Sequence, residues 1–159
     1  MNILFVCSGN VSRSFLAENL LRNEIEGLKA EEISISSAGL FAYPGNPPDP
    51  IMVDYLTQLG INGEDHKARQ VTKEQVDWAD LILVMEKDHA RMMERLWPEV
   101  KSKVEPLGKY VSREQRADDI IDPFGNSPYH YRLVQAQITL AIKSLAKRLT
   151  SERTKDRHV

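Results

Sequence analysis

The residues that could do chemistry sit at the start of the chain. The apolar run Ile3-Leu4-Phe5-Val6 ends on Cys7, the only cysteine. Ser8, Gly9, Asn10, Val11 and Ser12 follow, then Arg13 and Ser14. The arrangement is Cys-x5-Arg on a strand, a tight loop and a helix start. Loop N–H groups, a helix N-terminus and a guanidinium gather around one sulfur. All three attract an anion such as phosphate, and all three favour a thiolate over a thiol. A nucleophile inside a phosphate cradle implies a covalent phosphoenzyme. Buried, inert cysteine is the competing reading. The Gly9-Asn10 turn and Arg13 weigh against it. A cation in the first turn opposes the helix dipole, which makes sense when an anion lies between them. The guanidinium fork also matches two phosphoryl oxygens.

The elements that must position this loop alternate between strand and helix. Ile3–Val6 reads as a strand buried on both faces. From Arg13 to Lys29, Phe15, Leu16, Leu20, Leu21 and Ile25 recur at helical spacing. Ile33-Ser34-Ile35 reads as a second strand. The proline-rich stretch from Ala42 to Pro50 is a surface loop. Pro50 opens a helix with Met52, Val53, Leu56 and Leu59 on its inner face and Gly60 as its stop. Ala68–Val71 reads as a short extended piece. Thr72 and Gln75 resemble a capping box. Leu81–Val84 is a second buried strand, followed by a helix over Lys87–Leu96. Val104–Leu107 is a fourth strand. Residues 112–128 are acidic and turn-rich, and Tyr129–Leu149 is a long amphipathic helix. The pattern predicts an α/β fold with a parallel sheet and its ligand site at the carboxyl ends of the strands, where Cys7 falls. Residues 1–150 are expected to form one domain, and 151–159 a charged tail that frays.

Bulk properties exclude several classes. A net charge of −2 over 159 residues gives no general attraction to nucleic acid or an acidic membrane. No apolar run approaches the ~20 residues that span a bilayer. Met1-Asn2-Ile3 lacks a basic region and cleavage site, so no signal peptide is expected. A single cysteine fits a reducing cytoplasm. His89, His130 and His158 show no metal-ligand spacing, so no metal is expected. The loop lacks the Gly-Lys-Ser/Thr ending of nucleotide-binding phosphate loops, so no nucleotide cofactor is expected either.

Val6–Ser14 resembles the phosphate loop of the low-molecular-weight protein tyrosine phosphatases, whose pattern is Val-Cys-x-Gly-Asn-x-Cys-Arg-Ser. Asp122-Pro123 matches the family's late Asp-Pro. Ser36-Ser37-Ala38-Gly39 and His66-Lys67-Ala68-Arg69-Gln70 are also like family segments. The resemblance covers nearly the whole chain. It implies a four-stranded parallel sheet between helix layers, with residues 1–150 as a phosphatase domain. It implies Cys7 as nucleophile, Arg13 as phosphate clamp and Asp122 as general acid. The loop residues Ser8 to Ser12 would bind the phosphoryl group, and Ser14 would hydrogen-bond the thiolate. Ser37 and His66 would support the loop from behind. Phe41, Tyr43 and Phe124 would wall the cleft mouth. Asp118 and Asp119 are expected to be solvated.

The chain also departs from the family pattern. Ser12 stands where many members have a second cysteine, which leaves Cys7 without a resolving thiol. Phe15 stands where they usually have proline. Asp122-Pro123-Phe124-Gly125 resembles the bacterial protein arginine phosphatases of the same superfamily, but those carry threonine where this chain has Val11. The related thioredoxin-coupled arsenate reductases need further cysteines. Three readings follow. The favoured one is a phosphatase acting on phosphotyrosine or small aryl phosphates, releasing phosphate. The second is a protein arginine phosphatase. The third is a catalytically weak phosphoprotein-binding module.

Overall fold

The computed structural model describes residues 1–26, 32–111 and 118–156. Four strands form one parallel sheet: β1 (Asn2–Cys7), β2 (Ser34–Gly39), β3 (Leu81–Val84) and β4 (Val104–Pro106). Their spatial order is β2-β1-β3-β4. The helices are α1 (Arg13–Glu26), α2 (Pro50–Gln58), α3 (Lys73–Trp78), α4 (Lys87–Leu96) and α5 (Pro128–Asp156). Short 3-10 turns at Pro98–Ser102 and Leu107–Tyr110 flank β4. Among the described residues no helix is long and apolar enough to cross a membrane.

Alternation along β1 explains why its apolar run is continuous. Ile3, Phe5 and Cys7 face a core built with α1, α2 and α5. Leu4 and Val6 face the opposite core, shared with Val76 of α3 and Met93 of α4. A strand covered on both faces has no polar side to offer. The same parity puts Cys7 on the α1 side, against the helix whose first turn carries Arg13. Phe15, Leu16, Leu20, Leu21 and Ile25 of α1 are all buried.

The chain leaves β1 toward β2 on one side and returns to β3 on the other, so β1 and β3 flank a topological switch point. The loops after two such strands diverge and open a crevice. Cys7 closes one strand and Met85-Glu86 follows the other.

The expected elements are present, with corrections at their edges. Leu59 is not on the inner face of α2. It caps the helix and is half exposed, while Tyr55 packs partly against the core. Asp49 supplies the N-cap by accepting from Ile51 N at 3.0 Å. Thr72 and Gln75 form the reciprocal capping box. Helix α5 continues to Asp156, so the first part of the expected tail is helical. The end of the first predicted helix, residues 27–29, lies outside the described residues, as do residues 112–117 and 157–159.

Gly39 shows how tightly the sheet seats the loop. It pairs with Cys7 in register, and Leu40 N donates to Cys7 O while Phe41 N donates to Ser8 O. A Cβ on Gly39 would lie 2.5 Å from Ser8 O and 3.0 Å from Asn10 N. The obstacle is backbone on both sides, so nothing can rotate away. Gly39→Ala should therefore destabilise the protein by about 1–3 kcal/mol. A lowered urea midpoint at unchanged slope checks this, and an unchanged midpoint would contradict it.

Candidate active site

Cys7, 2 % exposed, lies at the base of a cleft of about 330 Å³. The loop from Ser8 to Ser12 forms the floor, and α1 begins immediately after it. Leu16 N donates to Ser12 O, so the first helical turn starts from the loop itself. The free N–H groups of that turn carry partial positive charge toward the cleft.

Ser14 Oγ is 2.9 Å from Cys7 Sγ. The direction of that bond follows from its neighbours. Arg69 N donates to Asn10 Oδ1 at 3.0 Å, and a backbone N–H can only donate. The Asn10 amide is thereby fixed, with Nδ2 donating to Ser14 Oγ at 2.9 Å and to Ser37 Oγ at 2.8 Å. Ser14 accepts from Asn10 and keeps its own proton to give to sulfur. A donor aimed at sulfur stabilises the thiolate form.

Asn10 ties the loop together. It is fully buried, with φ at +57°, the only non-glycine positive φ among the described residues. Asparagine adopts this left-handed conformation more readily than most side chains. His66 Nε2 lies 2.6 Å from Asn10 O, so that nitrogen carries the proton. Ser37 passes the chain on by donating to Glu18 Oε1 at 3.0 Å, and Arg22 balances Glu18 at 3.3 Å. Ser37 and His66 thus meet the back of the loop, where the sequence placed them. Phe15 stacks on His66 with ring centroids 4.7 Å apart.

Arg13 is 2 % exposed. Its Nη1 donates to Glu86 Oε2 at 2.6 Å and to Ile120 O at 2.7 Å. Its Nη2 is 4.0 Å from Asp122 Oδ2. A buried cation needs such partners, because an unpaired one would cost several kcal/mol. Both close bonds use Nη1, which leaves the rest of the fork for an anion.

Asp122 is half exposed at the rim. It accepts from Phe124 N at 3.1 Å, and its carbonyl accepts from Asn126 Nδ2. Gly125 completes this turn at φ +76°. Phe41, Tyr43 and Phe124 line the mouth and stand exposed. Val11 lines the floor, and its carbonyl accepts from Asp49 N at 2.8 Å. Asp49 in turn accepts from Tyr131 OH at 2.7 Å, and burial with this bond pushes the Tyr131 phenol well above its ordinary value. Ser12 Oγ is the one buried side-chain polar atom without a hydrogen-bond partner among the described residues.

Every residue to which the family resemblance assigns a site role lies in this cleft or directly behind it. One expectation is overturned: Asp119 is not simply solvated. It accepts from Lys87 N at 2.9 Å and so satisfies the start of α4. The sequence reading missed Glu86, His89, the Ile120 carbonyl, Glu18 and Asn46, which also lines the cleft. Glu86 had a readable signal, the first polar residue after a buried parallel strand. His89 stands in no motif of the sequence. It is buried, and Ser8 Oγ lies 2.9 Å from its Nε2. Among the described residues no group of three or more His, Cys, Asp or Glu is placed to hold a metal ion.

Comparison with known proteins matches this geometry. The family model described as low molecular weight phosphotyrosine protein phosphatase covers residues 2–155. A protein-arginine-phosphatase of Geobacillus stearothermophilus is 35 % identical over 150 residues, covering 94 % of this chain and 97 % of that protein. The low molecular weight protein-tyrosine-phosphatase Etp of Escherichia coli K12 is 32 % identical over 149 residues, covering 94 % and 95 %. The crystal structure of a low molecular weight protein tyrosine phosphatase from T. tengcongensis superposes with a TM-score of 0.84 at 31 % identity, covering 93 % of this chain and 99 % of that one. The chain belongs to the low molecular weight phosphotyrosine protein phosphatase family.

Proposed function

We propose that this protein hydrolyses phosphotyrosine and other aryl phosphates through a phosphocysteine. The observation that carries this reading is the Cys7 sulfur, 2.9 Å from a donor hydroxyl and sharing its cleft with the buried Arg13 fork. Cys7 Sγ attacks phosphorus, so an S–P bond forms as the P–O bond to the leaving group breaks. Arg13 and the loop N–H groups take the charge on the equatorial oxygens. Asp122 gives its proton to the leaving phenolic oxygen. Water then attacks the phosphocysteine and passes a proton to Asp122. Inorganic phosphate leaves, and the thiolate is restored.

Cys7→Ser should abolish turnover and retain phosphate binding, because the donors around the site survive. Asp122→Asn should slow hydrolysis of a poor leaving group by ~10²–10⁴-fold. It should slow an activated nitrophenyl ester much less, since that leaving group needs no proton. Rate measurements on both ester types check this. Equal losses would contradict the proton-donor role.

A second reading, phosphoarginine as substrate, is favoured by Asp122-Pro123-Phe124-Gly125 and by the arginine-phosphatase relative. Val11 on the cleft floor argues against it. Valine has the shape of threonine without the hydroxyl, so it offers a methyl where a polar leaving group would want a partner. Loss of a hydrogen-bond partner discriminates far more strongly than loss of a methylene. Phosphopeptides bearing phosphotyrosine or phosphoarginine decide between the two readings. The wild type should prefer phosphotyrosine, and Val11→Thr should shift the ratio of kcat/KM toward phosphoarginine. A wild type that prefers phosphoarginine would show that the Phe124-Gly125 turn sets the substrate. Failure to turn over para-nitrophenyl phosphate would leave only a binding module.

A further inference from the structure

His89 belongs to none of the roles above, yet it is 5 % exposed and touches the loop residue next to Cys7. Glu86 N donates to His89 Nδ1 at 3.1 Å. A backbone N–H cannot accept, so Nδ1 holds a lone pair and the ring proton sits on Nε2. That proton points at Ser8 Oγ, 2.9 Å away. Ser8 therefore accepts from His89. The arrangement superficially suggests a Ser–His–carboxylate triad, with Glu86 Oε2 3.6 Å from the same nitrogen. The tautomer excludes it, because a nitrogen that already carries the proton cannot take one from Ser8.

The consequence lies on the other side of Ser8. With one lone pair occupied, its hydroxyl keeps its own proton, and that proton has no acceptor among the described residues. Ser8 lines the cleft over Cys7. We propose that His89 holds the Ser8 hydroxyl as a further donor to the phosphoryl group bound in the cleft. Ser8 then touches the substrate, and His89 is a positioning residue that acts through it. The proposal rests on the phosphatase reading and adds a side-chain donor to the backbone cradle.

The surroundings keep the ring in the form this needs. Burial and the Arg13 charge on α1 push the His89 pKa below its ordinary value of 6.5. Glu86 ahead of α4, Asp119 in the late segment and Asp88 on α4 itself oppose this, and the net shift is still downward. Protonation would place a second N–H against Glu86 N and break the bond that orients the ring.

Inorganic phosphate is the probe, with binding read by calorimetry and turnover by para-nitrophenyl phosphate. Ser8→Ala should weaken phosphate binding and lower kcat/KM about ten-fold each, the worth of one hydrogen bond to a charged group. His89→Leu should match that loss, and the Ser8→Ala/His89→Leu double variant should lose no more than Ser8→Ala alone. His89→Gln, which can still donate to Ser8, should recover most of it. Nitrogen NMR of the wild type should show an Nε2-protonated neutral ring at pH 6.5. Unchanged phosphate binding in Ser8→Ala, losses that multiply in the double variant, or an Nδ1-protonated ring would overturn the proposal. Should His89→Leu misfold, Ser8→Ala and the NMR measurement still decide. A wild type that binds phosphate without hydrolysing any ester would contradict the phosphatase reading instead, and Ser8→Ala would still test the donor by binding alone.

Discussion

A full positive charge on Arg13 with 2 % exposure is the constraint around which the rest of the molecule is arranged. Such a charge is tolerated only where fixed partners replace its water. Those partners come from far along the chain: Glu86 after β3, the Ile120 carbonyl, and Asp122 at the rim. Ile120 is itself held by donating its N–H to Met85 O. One guanidinium thus fastens the segment carrying Asp122 to the switch point of the sheet. It keeps that carboxylate at the rim of the cleft that holds the Cys7 sulfur.

The second requirement is a loop whose shape does not depend on the ligand. A chain of N–H groups aimed inward repels itself until an anion arrives. Asn10 resists that by spending both ends of its amide and its carbonyl on protein partners. Gly39 presses in from the neighbouring strand with no room for a side chain. A cradle shaped before binding stabilises charge without reorganising at the moment of reaction, which is where most of the catalytic advantage of such sites arises.

Much of this was legible in the sequence because it follows from short-range rules. The continuous run to Val6 required a strand buried on both faces. Gly9-Asn10 required a tight turn, and the position of Cys7 required the strand end. Leu59 was misplaced because apolar periodicity does not say where a helix stops meeting its core. The chain turns away there, and Ile61 N bonds back to Leu56 O. Asp119 looked like one more surface carboxylate, because a cap made across 32 positions has no local signature. The contacts made by His89 and Glu86 were invisible for the same reason. Their partners, Ser8 and Arg13, lie more than 70 positions away, and only the β1–β3 pairing brings them together. Side chains that act by long-range polar contact are the ones that a pattern of apolar residues cannot predict.

The central claim is that the phosphoryl group passes through the Cys7 sulfur. Acid quenching during turnover of an aryl phosphate, followed by mass spectrometry of the peptides, tests it directly. One phosphoryl group should appear on the peptide ending β1, attached to sulfur on Cys7, and it should disappear as substrate is exhausted. A phosphoryl group on Ser8, Ser12 or Ser14, or turnover with no phosphoenzyme at any quench time, would contradict the account.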